Sequence, residues 1–278
     1  MVFLRKPLFF FDLGWFLETF SSVEDESGEQ ISEDSLFDGD LKCFQATQGY
    51  RFSVDSVLIS HFVSVRENDR ILDLGSGCGI IMLILLYRWG KRLNDIVGVE
   101  IQGNLADLAR KNLQANAFET CGRVVDGDIK NLGSLVTPEA FDTVVCNPPF
   151  YGHGSGRQSA NDEARLARHQ ILANLDDFLF ASALAVRNRG TVYFIYPAGQ
   201  IALFIALLGK HRLEVKKLQF VYSYPQMNNK ARLVLIECSK NGGSGADILA
   251  PLYIYCEKNG AFTEEMQNFY KKNTSLQC

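Results

Sequence analysis

The chain has 278 residues, 47% of them hydrophobic and 22% charged, the composition of a globular protein with a sizeable core. Its seven cysteines (Cys43, Cys78, Cys121, Cys146, Cys238, Cys256 and Cys278) form no CxxC pair, which argues for reduced thiols and against a disulfide framework or a structural zinc site. The formal net charge of −4 is unevenly distributed. Residues 1–60 carry 11 acidic and 4 basic side chains, and the remainder carries 24 basic against 21 acidic, a mild excess compatible with phosphate contacts.

In chain order, residues 2–20 resemble a short apolar signal region, but Arg5, Lys6, Asp12 and Glu18 interrupt it and a small-residue cleavage site is missing. With no apolar run long enough to span a bilayer, the expected location is the cytoplasm. Residues 21–40 are polar, acidic and poor in large apolar groups, so a flexible linker is expected there. The chain therefore divides into an acidic extension, 1–40, and one domain, 41–278. Residues 53–65 have helical apolar spacing, with Val54, Val57, Leu58 and Phe62 on one face. Strands and helices then alternate: strand 70–74, helix 80–89, strand 95–100, helix 104–116, and short strands at 123–126, 143–146 and 191–196. Short apolar strands separated by helices predict an α/β fold with a mostly parallel sheet covered on both faces. Near the end, strand-like segments 217–223 and 231–239, joined by a short polar link, predict an antiparallel pair. Residues 252–256 and Phe262, around Lys258-Asn259-Gly260, predict a small hairpin.

The first candidate site lies where strand 70–74 runs into a helix, at Asp73-Leu74-Gly75-Ser76-Gly77-Cys78-Gly79. Gly75, Gly77 and Gly79 permit a tight turn and close backbone approach to a ligand at the carboxyl edge of the sheet. Glycine loops also occur in generic nucleotide sites and plain turns, so three acids carry the distinction. Asp73 precedes the first glycine, where dinucleotide loops carry an apolar residue and glycine. Glu100 ends the next strand, positioned to accept from two ribose hydroxyls. Asp128 follows the third strand, where a carboxylate suits an adenine amino group. Taken singly, each acid also reads as a turn or a helix cap. In series they resemble motifs I to III of class I methyltransferases, which implies S-adenosylmethionine as cofactor.

The second candidate site is Asn147-Pro148-Pro149-Phe150, at the end of the fourth strand. Two prolines fix φ and remove two N–H donors, leaving a rigid turn whose carbonyls are free to accept. An amino nitrogen on a planar conjugated group is a poor nucleophile because its lone pair is delocalised. Acceptors on its two hydrogens, here the Asn147 side-chain oxygen and the Pro148 carbonyl, favour the pyramidal, reactive form. Phe150 would stack on the ring. Alignment of nitrogen, methyl and sulfur does most of the remaining work.

Residues 41–272 resemble the bacterial tRNA(Val) adenine-N6 methyltransferases, which modify the adenine 3′ of the anticodon. The matching segments are Gln48-Gly49-Tyr50-Arg51-Phe52-Ser53-Val54-Asp55, the Asp73 loop, Asn147-Pro148-Pro149-Phe150 and Ala164-Arg165-Leu166-Ala167-Arg168-His169. The resemblance implies a Rossmann-like, seven-stranded, mostly parallel sheet with an antiparallel terminal strand, an amino-terminal helical strap, and tRNA as partner. Release-factor glutamine-N5 enzymes and rRNA guanine-N2 enzymes share the Asn-Pro-Pro-aromatic run, so the target nitrogen stays open between adenine, guanine and glutamine. Phe150 stands where tyrosine is commoner in the adenine and glutamine enzymes. Arg51, Arg157, Arg165, Arg168 and His169 are candidates for RNA contact, with His169 also considered as a base. Lys210, Arg212, Lys216, Lys217, Lys230 and Arg232 form a second basic concentration. No metal site is expected.

Overall fold

The computed structural model describes residues 20–24, 30–47, 53–149 and 175–272. Strands β4 (Asp69–Leu74), β5 (Leu93–Glu100), β6 (Gly122–Asp126), β7 (Phe141–Cys146) and β8 (Val186–Pro197) are parallel neighbours in the order β8-β7-β4-β5-β6. Beyond β8 lie β10 (Leu233–Lys240) and then β9 (Leu213–Tyr222), with β10 antiparallel to both. The antiparallel strand is thus the last of the seven in sequence but not the edge in space. Two short strands, β11 (Asp247–Ile248) and β12 (Leu252–Tyr253), add parallel to β9 and bring the sheet, among the described residues, to nine strands rather than seven.

The alternation of side chains along each strand explains why both faces are covered. Ile71, Ile96, Val145 and Ile195 face one core cluster, packed by α1 (Val54–Phe62), α2 (Ile80–Trp89) and α3 (Gly103–Ala115). Their neighbours Leu72, Val97, Val144 and Phe194 face the other, packed by α4 (Leu132–Leu135), α5 (Leu175–Ala185) and α6 (Ile201–Leu208). Helix α2 is apolar on nearly every side and its first seven residues are all buried, since it is sandwiched between the sheet and further elements. The Tyr255–Phe262 bridge closes the expected terminal hairpin, and α7 (Glu264–Tyr270) follows, capped by the Thr263 hydroxyl on the Met266 N–H.

The linker expected over residues 21–40 is corrected. Strands β1 (Phe20–Glu24), β2 (Gln30–Leu36) and β3 (Leu41–Ala46) form a separate three-stranded antiparallel sheet. Ile31, Leu36, Phe37, Leu41 and Cys43 are buried in the same cluster as α1–α3, and the Phe37 ring stacks on Tyr87 of α2 with centroids 4.4 Å apart. A few large side chains fully buried supply what average composition concealed, each contributing about 1.5–3 kcal/mol. The four-residue turn between β2 and β3 takes positive φ at Phe37 (55°), Asp38 (55°) and Gly39 (87°), a region that Gly and, among other residues, Asp enter most readily. The outer edge of β3 is held by two amides one helical turn apart. Asn116 exchanges bonds with the Lys42 N–H (2.9 Å) and carbonyl (2.8 Å), and Asn112 does the same for Phe44 (2.6 and 2.9 Å). The domain boundary read at residue 41 therefore falls between two paired strands.

Candidate active site

The carboxyl ends of β6, β5, β4 and β7 lie side by side. Leu74 is in register with Val99 on one side and Cys146 on the other, and Glu100 is in register with Asp126. Gly75, Glu100, Asp128 and Asn147 consequently emerge along a single edge, with Gly75 and Asn147 on adjacent strands spaced about 4.8 Å apart. The described residues predicted for the glycine loop, the acid series and the Asn147 run lie on this edge, whereas the cations Lys210, Arg212, Lys216 and Lys217 do not. Phe150, Arg51, Arg157, Arg165, Arg168 and His169 lie outside the described residues.

The glycine loop is shaped by three positive φ angles, at Gly75 (72°), Gly77 (57°) and Gly79 (82°), which side chains with a Cβ rarely adopt. The Gly75 and Ser76 N–H groups both donate to the Val99 carbonyl (2.9 and 3.1 Å), stitching the loop onto β5. Glu100 holds it from the side: Oε2 accepts from the Gly77 N–H (2.8 Å) and Oε1 from the Gln102 N–H (2.9 Å). A carboxylate has about four acceptor directions, so two bonds leave capacity for a ligand's hydroxyls. Burial raises Glu100 above the usual carboxylate range, while the surrounding N–H donors pull the other way.

Asp73 is the least satisfied group in this part of the molecule. It is fully buried, and among the described residues neither carboxylate oxygen has a hydrogen-bond partner; the buried Ser76 hydroxyl lacks one there too. Burial, reinforced by the charge of Glu100, pushes Asp73 up to about 8. Two buried acids on neighbouring strand ends, one of them without partners, form a site electrostatically suited to a cationic ligand. Asp128 Oδ1 accepts from the Lys130 N–H (2.9 Å), capping the short turn that follows β6; the side chain is half-buried. Asn147 is half-buried, Pro148 buried and Pro149 exposed, so the run passes from core to surface within three residues.

Two supporting residues escaped the sequence reading. Gly98, inside β5, leaves room for the loop: a Cβ there would fall 2.6 Å from Met82 Sδ and 2.8 Å from Ser76 Oγ. A glycine inside a strand is the available signal for such close approach. Asn112 of α3 donates to the Cys78 carbonyl (2.8 Å), tying the loop to β3 through one amide. A small polar cleft lined by Arg66, Asp69, Asp142, Lys217 and Glu237 opens at the opposite, amino-terminal edge, away from these groups. Among the described residues, no three or more His, Cys, Asp or Glu side chains are placed to hold a metal ion, and no helix is long and apolar enough to cross a membrane.

Residues 53–172 match the family model of the methyltransferase small domain. The chain is similar to a tRNA1(Val) (adenine(37)-N6)-methyltransferase of Shewanella sp. (strain MR-4), at 26% identity over 239 residues, covering 84% of this chain and 95% of the relative. A relative of the same name from Aeromonas salmonicida (strain A449) is 34% identical over 157 residues, covering 56% of this chain and 59% of its own length. Among solved structures, a predicted O-methyltransferase from Agrobacterium tumefaciens superposes with a TM-score of 0.62 at 21% identity, over 79% of this chain and 98% of that one. That likeness shows the fold.

Proposed function

We propose that this chain, an S-adenosylmethionine-dependent methyltransferase of the class I Rossmann-like fold, methylates the N6 amino group of an adenine in tRNA. The observation that carries the reading is the strand register that sets Asn147 beside Gly75, so that an amino-group acceptor adjoins the glycine loop. The residues present fit the cofactor: the unpartnered Asp73 and its neighbour Glu100 suit its positive charges, and Gly98 and the glycines keep backbone N–H groups within reach. Glu100 would take the ribose hydroxyls and Asp128 the adenine amino group. When bound, S-adenosylmethionine supplies an electrophilic methyl group on a sulfonium.

The chain's own residues activate the nucleophile. The Asn147 side-chain oxygen and the Pro148 carbonyl accept the two N6 hydrogens and draw the nitrogen towards a tetrahedral shape, freeing its lone pair. A nitrogen held in this way would accept the methyl group that S-adenosylmethionine supplies, and the proton then left on it, strongly acidic, would pass to solvent. No base with a tuned pKa is required, because the bonds to Asn147 and Pro148 strengthen as charge develops on nitrogen. Adenine must leave its stack to reach Asn147, which costs a few kcal/mol and least in a loop. Phe150, by its sequence position next to Pro149, is assigned to stacking on the extruded base, a contact worth roughly 1–3 kcal/mol. The naming of relatives as tRNA1(Val) adenine-37 enzymes supports tRNA as the substrate and the anticodon loop as the target. The cytoplasm, where tRNA is found, is the matching location.

The test offers purified protein and methyl-labelled cofactor to unmodified bulk tRNA and, separately, to a release-factor fragment carrying Gly-Gly-Gln. Label recovered as N6-methyladenosine is expected. Label in the peptide with none in RNA would overturn the adenine assignment.

A further inference from the structure

The sequence groups six cations, from Lys210 to Arg232, into one basic concentration, and the fold separates them. Lys210 and Arg212 precede β9, at the amino-terminal edge of the sheet; Lys216 and Lys217 lie in its first half. Lys217 is paired with Glu237 (2.8 Å), and the Lys216 ammonium donates to the Gly243 and Gly245 carbonyls. Lys230 and Arg232 lie at the other end, in the connection between β9 and β10. Because β9 runs parallel to β8, that connection emerges on the same edge as Asn147. Leu233 is in register with Pro197 of β8, and β8 adjoins β7, so Arg232 sits two strand spacings, about 10 Å, across the edge from the Asn147 strand.

We infer that residues 223–232 form a rail for the RNA strand flanking the target base, with Lys230 and Arg232 on its phosphates. The inference rests on the tRNA reading above and extends it to a named surface. Four observations support it. The segment Ser223-Tyr-Pro-Gln-Met-Asn-Asn-Lys-Ala-Arg232 carries two cations and no acid. Both cations are exposed, and neither is paired with a carboxylate among the described residues, unlike Lys217 and Lys240, which each hold a glutamate. The backbone is fixed in advance: Arg232 donates to the Val221 carbonyl (2.8 Å) and accepts from the Ala198 N–H (3.0 Å), while Asn229 donates from its side chain to the Tyr224 carbonyl (2.7 Å) and from its backbone to the Gln226 carbonyl (3.1 Å). A braced loop loses little conformational freedom when it binds. At its tip Met227 is 89% exposed, an apolar side chain given to no core and available to lie against a base or ribose. Exposed, unneutralised cations on the reacting edge, with an exposed polarisable side chain in the same loop, match the charge and stacking surface of a single-stranded loop.

The test compares Lys230→Ala/Arg232→Ala with Lys210→Ala/Arg212→Ala at the opposite edge. For the first, tRNA affinity by filter binding is expected to fall roughly tenfold, and the slope of log affinity against log salt to become shallower by about 0.7 for each cation lost. S-adenosylmethionine affinity is expected to be unchanged, which also reports a folded protein. The second pair is expected to bind tRNA as the wild type does. If the wild type methylates tRNA and the first variant binds it with unchanged affinity and slope, or if both variants lose equally, the rail is wrong and the tRNA reading stands. If the wild type methylates a Gly-Gly-Gln peptide but not tRNA, the rail falls together with the reading it rests on.

Discussion

Asp73→Asn removes an ionisable group from the core while keeping its shape. In the native protein this carboxyl is held at about 8 by burial and by the charge of Glu100, against an ordinary value of 3.8. Between those two pH values the native state keeps a proton that the unfolded chain has released. Stability therefore falls as pH rises through this window, by about 1.4 kcal/mol per pH unit, and levels off above about 8. At pH 7 the cost of this one group is of the order of 4 kcal/mol, a large part of a domain's usual 5–15. Asparagine does not ionise. The variant without cofactor should match the wild type below about pH 4 and exceed it above that by an amount growing about 1.4 kcal/mol per unit up to pH 8. Urea unfolding of both proteins at pH 5, 6, 7 and 8 reads the difference directly, and the contribution of Glu100 largely cancels between them. The gain should be accompanied by weaker binding of S-adenosylmethionine, whose positive charges favour ionised Asp73. A stability difference that stays flat from pH 5 to 8 would refute the assignment of Asp73 as a protonated, unpartnered acid.

Three further outcomes follow from the same geometry. Glu100→Gln turns an amide N–H group towards one of the two backbone donors, Gly77 or Gln102, and should weaken cofactor binding by roughly 1.5–3 kcal/mol, about 10- to 100-fold; unchanged affinity by calorimetry would remove Glu100 from the site. Asn147→Ala should leave cofactor affinity intact and lower kcat by at least about a hundredfold, since its contact strengthens only in the transition state; single-turnover assays check this, and wild-type rates would contradict it. Phe37→Ala, which empties a buried ring site against Tyr87, should cost about 3–5 kcal/mol of stability, and a loss below about 1 kcal/mol would mean that the amino-terminal sheet does not belong to the core.

Much of the central sheet could be read from the sequence because its strands carry continuous apolar runs bounded by glycines. The helix expected at 80–89 is observed over Ile80–Trp89, and the strand expected at 95–100 needs only two more residues at its start. What escaped had weak periodic signals. Helix α6 reads Ile-Ala-Leu-Phe-Ile-Ala-Leu-Leu, apolar all round, so no stripe distinguishes a helix from a strand. Strand β2 reads Gln-Ile-Ser-Glu-Asp-Ser-Leu, and its charge outweighs its two apolar residues. The useful signal there was Asp38-Gly39, a tight-turn pair inside what composition presented as linker. At the site, Asp73, Glu100 and Asn147 could be picked out because each lies at, or one residue from, the carboxyl end of a strand. The absence of partners for Asp73, and the division of the cations between two edges, are properties of packing and strand direction that sequence order does not carry.

The most direct test is nucleoside mass spectrometry on purified, unmodified tRNA(Val) after incubation with S-adenosylmethionine and either wild-type protein or Asn147→Ala. The account predicts N6-methyladenosine in the fragment containing the anticodon loop with wild type, and almost none with the variant. Methylguanosine in place of N6-methyladenosine, or equal N6-methyladenosine from both proteins, would contradict it.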